Sequence, residues 1–324
     1  MTIAAASPES TISCDANTFR ENFNRRPFEI QHSLAGNPLF EIPRLIELAK
    51  TTADRKNPHR PFGDAYCLIG TPEPGQKTLD SNRVVTSIAE AMSQIENSQA
   101  WIVLAHIERE AEYREVFENY ICDLLELTGA ELLRKIKWFQ AIAFVTSPGR
   151  ATNYHLDREC AWLLQLKGDK EIHLFDKSDK EIVPDEELEE FWASDNGSSV
   201  YKPQYESRAM VFNMKPGTGV HIPVNCPHWL RNGNEVSVSI NLNFAFHDHL
   251  WGNIYKANYH LRKRGIQPST PGNNSATDLL KSVTYTTAQK INFLRKGKQE
   301  IPPEAREQFD RVAQRMAQRS AQRA

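Results

Sequence analysis

The spacing of hydrophobic positions changes character along the chain, and its first 136 residues are mixed. Residues 1–25 hold few apolar positions, which predicts a polar, poorly ordered lead. Residues 26–136 combine short apolar runs, typical of strands, with the periodic spacing of amphipathic helices. The strands are predicted at 64–70 and 100–106, and the helices at 82–96 and 112–137. We interpret residues 26–136 as an α/β region that braces the domain that follows.

Residues 137–250 have the pattern of a β-rich domain, in which short apolar or alternating runs are separated by turn residues. Strands are predicted at 142–145, 161–166, 171–175, 209–212, 219–223 and 236–244. Many short strands of this kind are typical of a sandwich or a barrel. An acidic insertion at 176–196, partly helical around 185–192, is either a loop that borders the mouth of the barrel or a solvated loop.

Residues 251–324 are predicted to form a basic and largely helical region. Residues 256–324 hold 14 Lys or Arg against 5 Asp or Glu, a net charge of about +9. Since the whole chain carries −2, the other residues carry about −11. A helix that begins at Pro302 places Arg315, Arg319 and Arg323 on one face. Its narrow apolar stripe consists of Phe309, Val312, Ala313 and Met316.

Three interpretations of this basic region stay open. The arginine face and the charge asymmetry indicate an acidic partner. No nucleic-acid-binding motif accompanies the charge, so nucleic acid is not the expected partner. The apolar stripe instead predicts a homodimer formed through the C-terminal helices. The third interpretation is a solvated helical tail without a partner.

The remaining composition predicts a cytoplasmic protein without membrane contact. With 324 residues, 40% of them hydrophobic, the chain can bury a sizeable core in one large domain or two. Its five cysteines are scattered without C-x-x-C spacing, which argues against a disulfide framework and a structural zinc site. The first residues lack the basic start and apolar stretch of a signal peptide, and no apolar run reaches the length of a membrane span.

One pair of segments carries the chemistry of a metal site. His155 and Asp157 are separated by one residue, and His228 follows at long range. In an extended strand, residues i and i+2 point to the same side, so His155 and Asp157 can reach one ion. Two histidines and one carboxylate form the face that binds iron(II) in oxygenases and leaves coordination positions open. The sequence therefore predicts a catalytic metal held by His155, Asp157 and His228.

The segments around these ligands resemble the two halves of the cupin signature. The first spans residues 149–168 and the second residues 217–232. Asp157 takes the place of a second histidine, Ala161 that of a glutamate, and Asn225 that of a glycine. The first two departures turn a four-ligand site into a three-ligand site. This is the variant of JmjC-type and related 2-oxoglutarate-dependent oxygenases, which the chain therefore resembles.

The resemblance covers about residues 137–246 and implies both a fold and a co-substrate site. The implied fold is a double-stranded β-helix, the jelly-roll barrel of cupin and JmjC proteins, within a mainly β protein with flanking helices. In these oxygenases, notably the asparaginyl hydroxylase of the hypoxia pathway, a lysine, a threonine and an asparagine contact the distal carboxylate of 2-oxoglutarate. The matching positions are Lys170, Thr152 and Asn241, with Asn243 as an alternative to Asn241.

Lys170 and His221 each have a second interpretation. A lysine inside a barrel needs an anion, because an unpaired buried charge is costly. Yet residues 167–170 also have the composition of a turn, in which Lys170 would be solvated. His221 precedes Pro223 and lies outside the family position, so we expect it to line the pocket or to pack on its strand. The other histidines of this part, His173, His247 and His249, are expected to be structural or exposed.

The resemblance implies an Fe(II)- and 2-oxoglutarate-dependent dioxygenase that releases succinate and CO₂. Its substrate, a protein side chain or a small molecule, would be hydroxylated, or demethylated where the oxidised carbon is attached to nitrogen. Two alternatives remain: a non-catalytic cupin-like protein that binds a ligand and regulates a partner, and a cupin dioxygenase that uses no 2-oxoglutarate. Trp162, Trp229 and Tyr154 either line an aromatic wall beside the site or belong to the core.

Overall fold

Two antiparallel sheets face each other in the computed structural model. It describes residues 11–53, 55, 63–70, 72–76, 82–83, 88–129, 131–195, 197–246, 250–296 and 303–323. The strands of the large sheet are β1 (Ile12–Ser13), β2 (Phe28–His32), β3 (Ala65–Ile69), β4 (Asn82–Arg83), β5 (Ala100–Ala105), β6 (Ile136–Thr146), β8 (Cys160–Lys167), β11 (Thr218–Ile222) and β13 (Ser237–Phe246). Those of the small sheet are β7 (Ala151–His155), β9 (Lys170–Leu174), β10 (Met210–Met214) and β12 (His228–Asn232).

The large sheet extends well beyond the barrel. Its nine strands follow the order β1-β2-β11-β8-β13-β6-β5-β3-β4, and the small sheet follows β10-β9-β12-β7. Strands from the region before residue 137 therefore lie on both edges of the large sheet. The segment that we expected to brace the barrel contributes strands to the same sheet.

Nine α-helices accompany the strands in the described residues. They are α1 (Ala16–Asn22), α2 (Ile42–Ala53), α3 (Ile88–Ser93), α4 (Ala111–Thr128), α5 (Glu131–Lys135), α6 (Asp185–Ala193), α7 (Leu250–Arg262), α8 (Ser275–Lys296) and α9 (Pro303–Arg323). The helix predicted over 112–137 is divided into α4 and α5, because Gly129 has φ 85°, and α5 ends where β6 begins at Ile136. The helix predicted over 82–96 is α3, preceded by β4, and residues 84–87 lie outside the described residues.

Apolar side chains between the two sheets form the barrel core. This inner cluster consists of Ala161, Leu163, Ile172, Leu174, Met214, Val220, Ile222, Cys226 and Leu230. β13 lies at the centre of the large sheet and pairs along most of its length with β6 and β8. Its alternate residues point into the barrel and toward the helices outside, as the two-residue period of a strand requires.

The outer face of the large sheet is covered by helices, and this changes the interpretation of the N-terminal lead. Residues 1–10 lie outside the described residues, but α1 is ordered and Asp15 caps it by accepting from the Thr18 N–H. Phe19 of α1 is 1% exposed and stacks on Trp162 of β8 with ring centroids 5.7 Å apart. The expectation of a poorly ordered lead is wrong from residue 11 onward, because these aromatic rings belong to the main core.

α9 packs on this outer face as well, against α4 of the same chain. Val312 is fully buried, and the ring of Phe309 lies 5.9 Å from that of Phe139 on β6. Arg311 pairs with Glu118 at 2.8 Å, and Arg319 pairs with Asp123 at 2.7 Å. Arg315 also contacts carboxylates of α4.

Most of the apolar stripe (Phe309, Val312 and Met316) and two residues of the arginine face (Arg315 and Arg319) therefore have partners within the chain. This replaces the interpretation as a solvated tail. An acidic surface does meet the arginines, and it belongs to α4. Assembly through the C-terminal helices stays a prediction. None of the helices in the described part of the chain is both long and apolar enough to cross a membrane.

Candidate metal and co-substrate site

The three predicted ligands converge at one end of the barrel. His155 ends β7, His228 begins β12, and the two are directly paired across the small sheet. Their ring centroids are 4.1 Å apart. Oδ2 of Asp157 lies 3.7 Å from Nε2 of His228. The ligating atoms of all three side chains lie within 4.8 Å of one another, which is the arrangement a single ion requires.

The position of Asp157 is not set by the two-residue period of a strand. β7 ends at His155, so Asp157 lies in the following loop rather than on the strand. Its backbone carbonyl accepts a hydrogen bond from the Asn225 N–H at 2.9 Å. The expected i, i+2 geometry on one strand is therefore wrong in detail, although both side chains reach the same point.

Both histidines are held in the tautomer that binds metals. Nδ1 of His155 lies 2.7 Å from the carbonyl of Asn153, and Nδ1 of His228 lies 2.9 Å from that of Cys226. Since a carbonyl only accepts, each Nδ1 carries the proton and each Nε2 keeps its lone pair for an ion. Burial, together with the neighbouring His155, lowers the pKa of His228 to about 4, so this imidazole is neutral.

The fourth ligand position of the cupin signature carries no donor. Ala161 is fully buried on β8 and belongs to the inner cluster. Its register partners are Asn243 on β13 and Ile222 on β11. A methyl group cannot bind a metal, so the described residues supply a three-ligand face.

Lys170 lies inside the barrel, at the opposite end from the ligands. It is 7% exposed, which rules out the interpretation as a solvated turn residue. Among the described residues its ammonium bonds only to Oγ of Ser239, at 2.5 Å. Burial lowers the pKa of Lys170 to about 7. Lys170 is paired with Asn232 of β12, which lies four residues after His228. In an extended strand this spacing places the Cα atoms of His228 and Asn232 about 13 Å apart.

A row of polar residues on β13 runs along the inner face of the barrel between these two ends. The row consists of Ser237, Ser239, Asn241 and Asn243. Ser239 accepts from Lys170 and donates to Oε1 of Gln165 at 2.7 Å. Gln165 in turn donates to Oγ of Ser237 and to two backbone carbonyls. The prediction missed Ser239 and Gln165, although polar residues at every second position of a buried strand are a visible signal.

The two other predicted co-substrate residues lie on the same inner surface. Asn241 is 8% exposed and donates to Oδ1 of Asn243 at 2.9 Å, whereas its own Oδ1 has no hydrogen-bond partner among the described residues. Thr152 pairs with Leu230 of the inner cluster. A β-bulge places two residues of β7, Asn153 and Tyr154, opposite the single Trp229 of β12, so Thr152 and His155 share a face.

Of the other histidines in this part of the chain, His221 and His173 lie away from this site. His221 is fully buried on the outer face, its ring centroid 4.3 Å from that of Trp162, and its Nε2 accepts from the Asn24 N–H. Burial lowers its pKa to about 3. His173 stacks on Trp229 outside the small sheet. His247 and His249 lie outside the described residues.

The three aromatic residues considered for the site also belong to outer packing. Trp162 faces α1, and Trp229 and Tyr154 belong to the cluster beneath α6. None of the three rings is part of the inner cluster. They form part of the core rather than an aromatic wall beside the metal face.

Comparison with known proteins gives structural likeness only. No family model matches the sequence, and no curated protein matches it. The X-ray structure of E. coli ycfD matches with a TM-score of 0.51 and 14% identity, over 87% of this chain and 69% of that chain. Structures of YcfD, a ribosomal oxygenase from Escherichia coli, in complex with cobalt and 2-oxoglutarate or with cobalt and succinic acid, match with TM-scores of 0.46 and 0.44 at 13% identity. They cover 92% and 93% of this chain and 70% of those chains.

At 14% identity the likeness to ycfD establishes the fold alone. Its alignment over most of this chain agrees with the two facing antiparallel sheets described above. The predicted fold is therefore confirmed: this chain is a double-stranded β-helix, or jelly-roll, with flanking helices.

Proposed function

We propose that this protein is an Fe(II)- and 2-oxoglutarate-dependent oxygenase. The observation that carries the proposal is the presence of two features inside one barrel. A three-ligand face of His155, Asp157 and His228 lies at one end, and a buried ammonium without a carboxylate partner in the described chain lies at the other. A metal-chelating dicarboxylate satisfies both.

The donor set fits iron(II). Two neutral imidazoles and one carboxylate suit a borderline divalent ion, and both imidazole Nε2 atoms are available because their Nδ1 atoms bond to carbonyls. Ala161 leaves the rest of the coordination sphere to small molecules. When bound, iron(II) and 2-oxoglutarate supply the activation of O₂ and the oxidation of a C–H bond, with release of succinate and CO₂.

The residues at the far end would bind and orient the co-substrate. The Lys170 ammonium has two N–H groups left for a carboxylate after its bond to Ser239, and Nδ2 of Asn241 has a second N–H besides the one that it donates to Asn243. An anion at Lys170 offsets the cost of burying its charge. Thr152 adds a hydroxyl from the bulged strand. These polar groups would fix the orientation of bound 2-oxoglutarate, with its distal carboxylate at Lys170 and its keto-acid end at the metal.

The substrate is a protein side chain or a small molecule, and the outcome is hydroxylation or N-demethylation. The structural neighbour YcfD is described as a ribosomal oxygenase and has been solved with cobalt and 2-oxoglutarate, so this fold holds such a pair of ligands in that protein. The access side of the metal is bordered by Asp157, whose side chain is 31% exposed. Substrate therefore meets the site beside the α6 insertion and the loop that carries Asp157.

The test is turnover of the co-substrate. Purified protein with iron(II), ascorbate, O₂ and 2-oxoglutarate should form succinate slowly without any substrate, and Asp157→Ala should abolish it. If wild-type protein with metal bound forms no succinate, alone or with an extract as substrate source, the oxygenase proposal is wrong. Consumption of O₂ without succinate would favour a 2-oxoglutarate-independent dioxygenase. Binding of 2-oxoglutarate without any turnover would favour a regulatory ligand-binding protein.

A further inference from the structure

Asn225, the third departure from the cupin signature, has no part in the metal face itself. It lies in the connection between β11 and β12 with φ 62°, in the left-handed region. Glycine adopts this conformation without strain, and asparagine tolerates it better than most residues with a side chain. Of these two residues, only asparagine also brings a side-chain acceptor to this position.

That acceptor has a specific partner. Nε1 of Trp192 donates to Oδ1 of Asn225 at 2.9 Å, and both residues are buried. The backbone N–H of Asn225 donates to the carbonyl of Asp157, also at 2.9 Å. The next carbonyl, that of Cys226, accepts from Nδ1 of His228. One turn therefore contacts two of the three proposed ligands.

Trp192 is itself held firmly by its surroundings. It lies on α6 and packs on Gly252 of α7, where an added Cβ would lie 2.5 Å from the indole ring. Arg262 of α7 binds Glu189 of α6 through two hydrogen bonds of 2.7 and 3.0 Å. Arg158 lies over the indole ring, 5.4 Å from its centroid. These contacts keep the indole N–H directed at the asparagine amide.

We propose that Asn225 and Trp192 are positioning residues for the metal ligands. The inference rests on the proposed metal site and gives the α6 insertion a role in it. α7 fixes α6, α6 directs the Trp192 indole, and the indole fixes the turn that orients Asp157 and His228. Outer contacts of this kind orient ligands, and removing them weakens metal binding in known sites by about 10- to 100-fold.

The experiment titrates the metal-free full-length protein with Co²⁺ alone and records the visible absorption of the bound ion. Asn225→Gly keeps the left-handed turn and the N–H that Asp157 accepts, but removes the amide. Trp192→Phe keeps a ring on Gly252 and removes the donor. Each should weaken Co²⁺ binding about tenfold and shift the cobalt spectrum, because the ligand geometry loosens. Because the two substitutions remove the same hydrogen bond, the double variant should bind Co²⁺ about as weakly as either single variant.

Trp229→Phe is the matched control. It removes an indole N–H that donates to Glu206 at 3.3 Å, on the strand that carries His228 but outside the barrel. It should leave cobalt affinity within about twofold and the spectrum unchanged, whatever it does to thermal stability. Wild-type affinity and spectrum in Asn225→Gly would overturn the inference, and so would equal losses in all three single variants. Failure of the wild-type protein to bind Co²⁺ would instead overturn the proposed metal site.

Discussion

Buried polar residues on the inner and outer faces of the barrel differ in their hydrogen-bond partners. His228 and His221 lie seven positions apart, and both are buried and neutral. On the outer face His221 is enclosed by aromatic rings, and its Nε2 is used by the N–H of Asn24. On the inner face the Nε2 of His228 points toward Asp157 and another histidine.

Lys170 and Arg319 extend the comparison to charged groups. Outside the barrel, Arg319 meets Asp123 and Glu126, so its charge is compensated within the chain. Inside the barrel, Lys170 has only a serine hydroxyl among the described residues. His221 and Arg319 therefore complete the fold, whereas His228 and Lys170 are left with capacity for a ligand. For these four residues burial alone does not distinguish the two roles, but the state of the hydrogen-bond partners does.

Substitution of the inner ligands and of His221 should give the largest difference between the two faces. His155→Ala, Asp157→Ala and His228→Ala should each abolish tight binding of iron(II) or manganese, because each removes one of three ligands. His221→Phe should keep the affinity within about twofold, at a stability cost of about 1–3 kcal/mol for the lost acceptor. Metal titration monitored by calorimetry checks both. Loss of binding in His221→Phe, with His228→Ala unaffected, would contradict the assignment of the faces.

Lys170 gives the next largest effect. Lys170→Ala should leave metal affinity nearly intact and weaken 2-oxoglutarate by about ten- to a hundredfold, since a charge-assisted contact contributes about 1.5–3 kcal/mol. Calorimetric titration of 2-oxoglutarate into manganese-loaded protein measures the change. The companion variant Lys170→Met should melt no lower than wild type without ligand, because it removes an uncompensated buried charge. An unchanged 2-oxoglutarate affinity in Lys170→Ala would mean that Lys170 does not bind the distal carboxylate.

The same lysine predicts how 2-oxoglutarate affinity depends on pH. Burial holds the pKa of Lys170 near 7 in the ligand-free protein, and a bound carboxylate should raise this pKa. Binding therefore takes up a proton, so affinity should be highest below pH 7 and fall as pH rises through this value, by at most about tenfold per unit. Titrations between pH 6.5 and 9 with saturating manganese check this, and Lys170→Ala should show a flatter profile. A wild-type affinity that rises with pH would contradict the sign.

The outer face is tested by two helices of the C-terminal region. Val312 of α9 is fully buried, whereas Leu280 of α8 is 66% exposed. Val312→Ala should lower the free energy of unfolding by about 2 kcal/mol, and Leu280→Ala should change it by less than about 0.5 kcal/mol. Urea denaturation measures both. Neither variant should change metal affinity. Equal effects of the two substitutions would mean that α9 does not pack as described.

Light scattering on the same two variants addresses the predicted homodimer. Leu279, Leu280 and Val283 give α8 an exposed apolar face, so a dimer built on that face should weaken in Leu280→Ala. A dimer of unchanged strength in Leu280→Ala would contradict assembly through this face of α8.

The sequence was informative where chemistry is concentrated in short segments. The motifs around His155 and His228 predicted the converging side chains, and the register of Lys170 predicted its place inside the barrel. The polar residues of β13 occupy every second position of a buried strand, a pattern that points inward because the strand period is two. Each of these patterns involves residues that are close together in the chain, so it can be recognised without knowledge of the fold.

What was missed depends on contacts between distant segments. Asp157 is placed by a hydrogen bond from Asn225 rather than by strand geometry, and Thr152 reaches the inner face through a bulge that the two-residue period does not predict. The sequence of α1 is mostly polar, yet the rings of Phe19 and of Phe23 at its C-cap both stack on Trp162. The arginines of α9 suggested a separate partner because their carboxylates lie almost 200 residues earlier in the chain.

A crystal structure with Co²⁺ and 2-oxoglutarate tests the central claim most directly. We predict a cobalt anomalous peak within bonding distance of Nε2 of His155, Nε2 of His228 and the carboxylate of Asp157. The keto-acid end of 2-oxoglutarate should bind the metal, and its distal carboxylate should lie in hydrogen-bonding contact with Nζ of Lys170. Cobalt at any other group of side chains, or a distal carboxylate directed away from Lys170, would contradict the account.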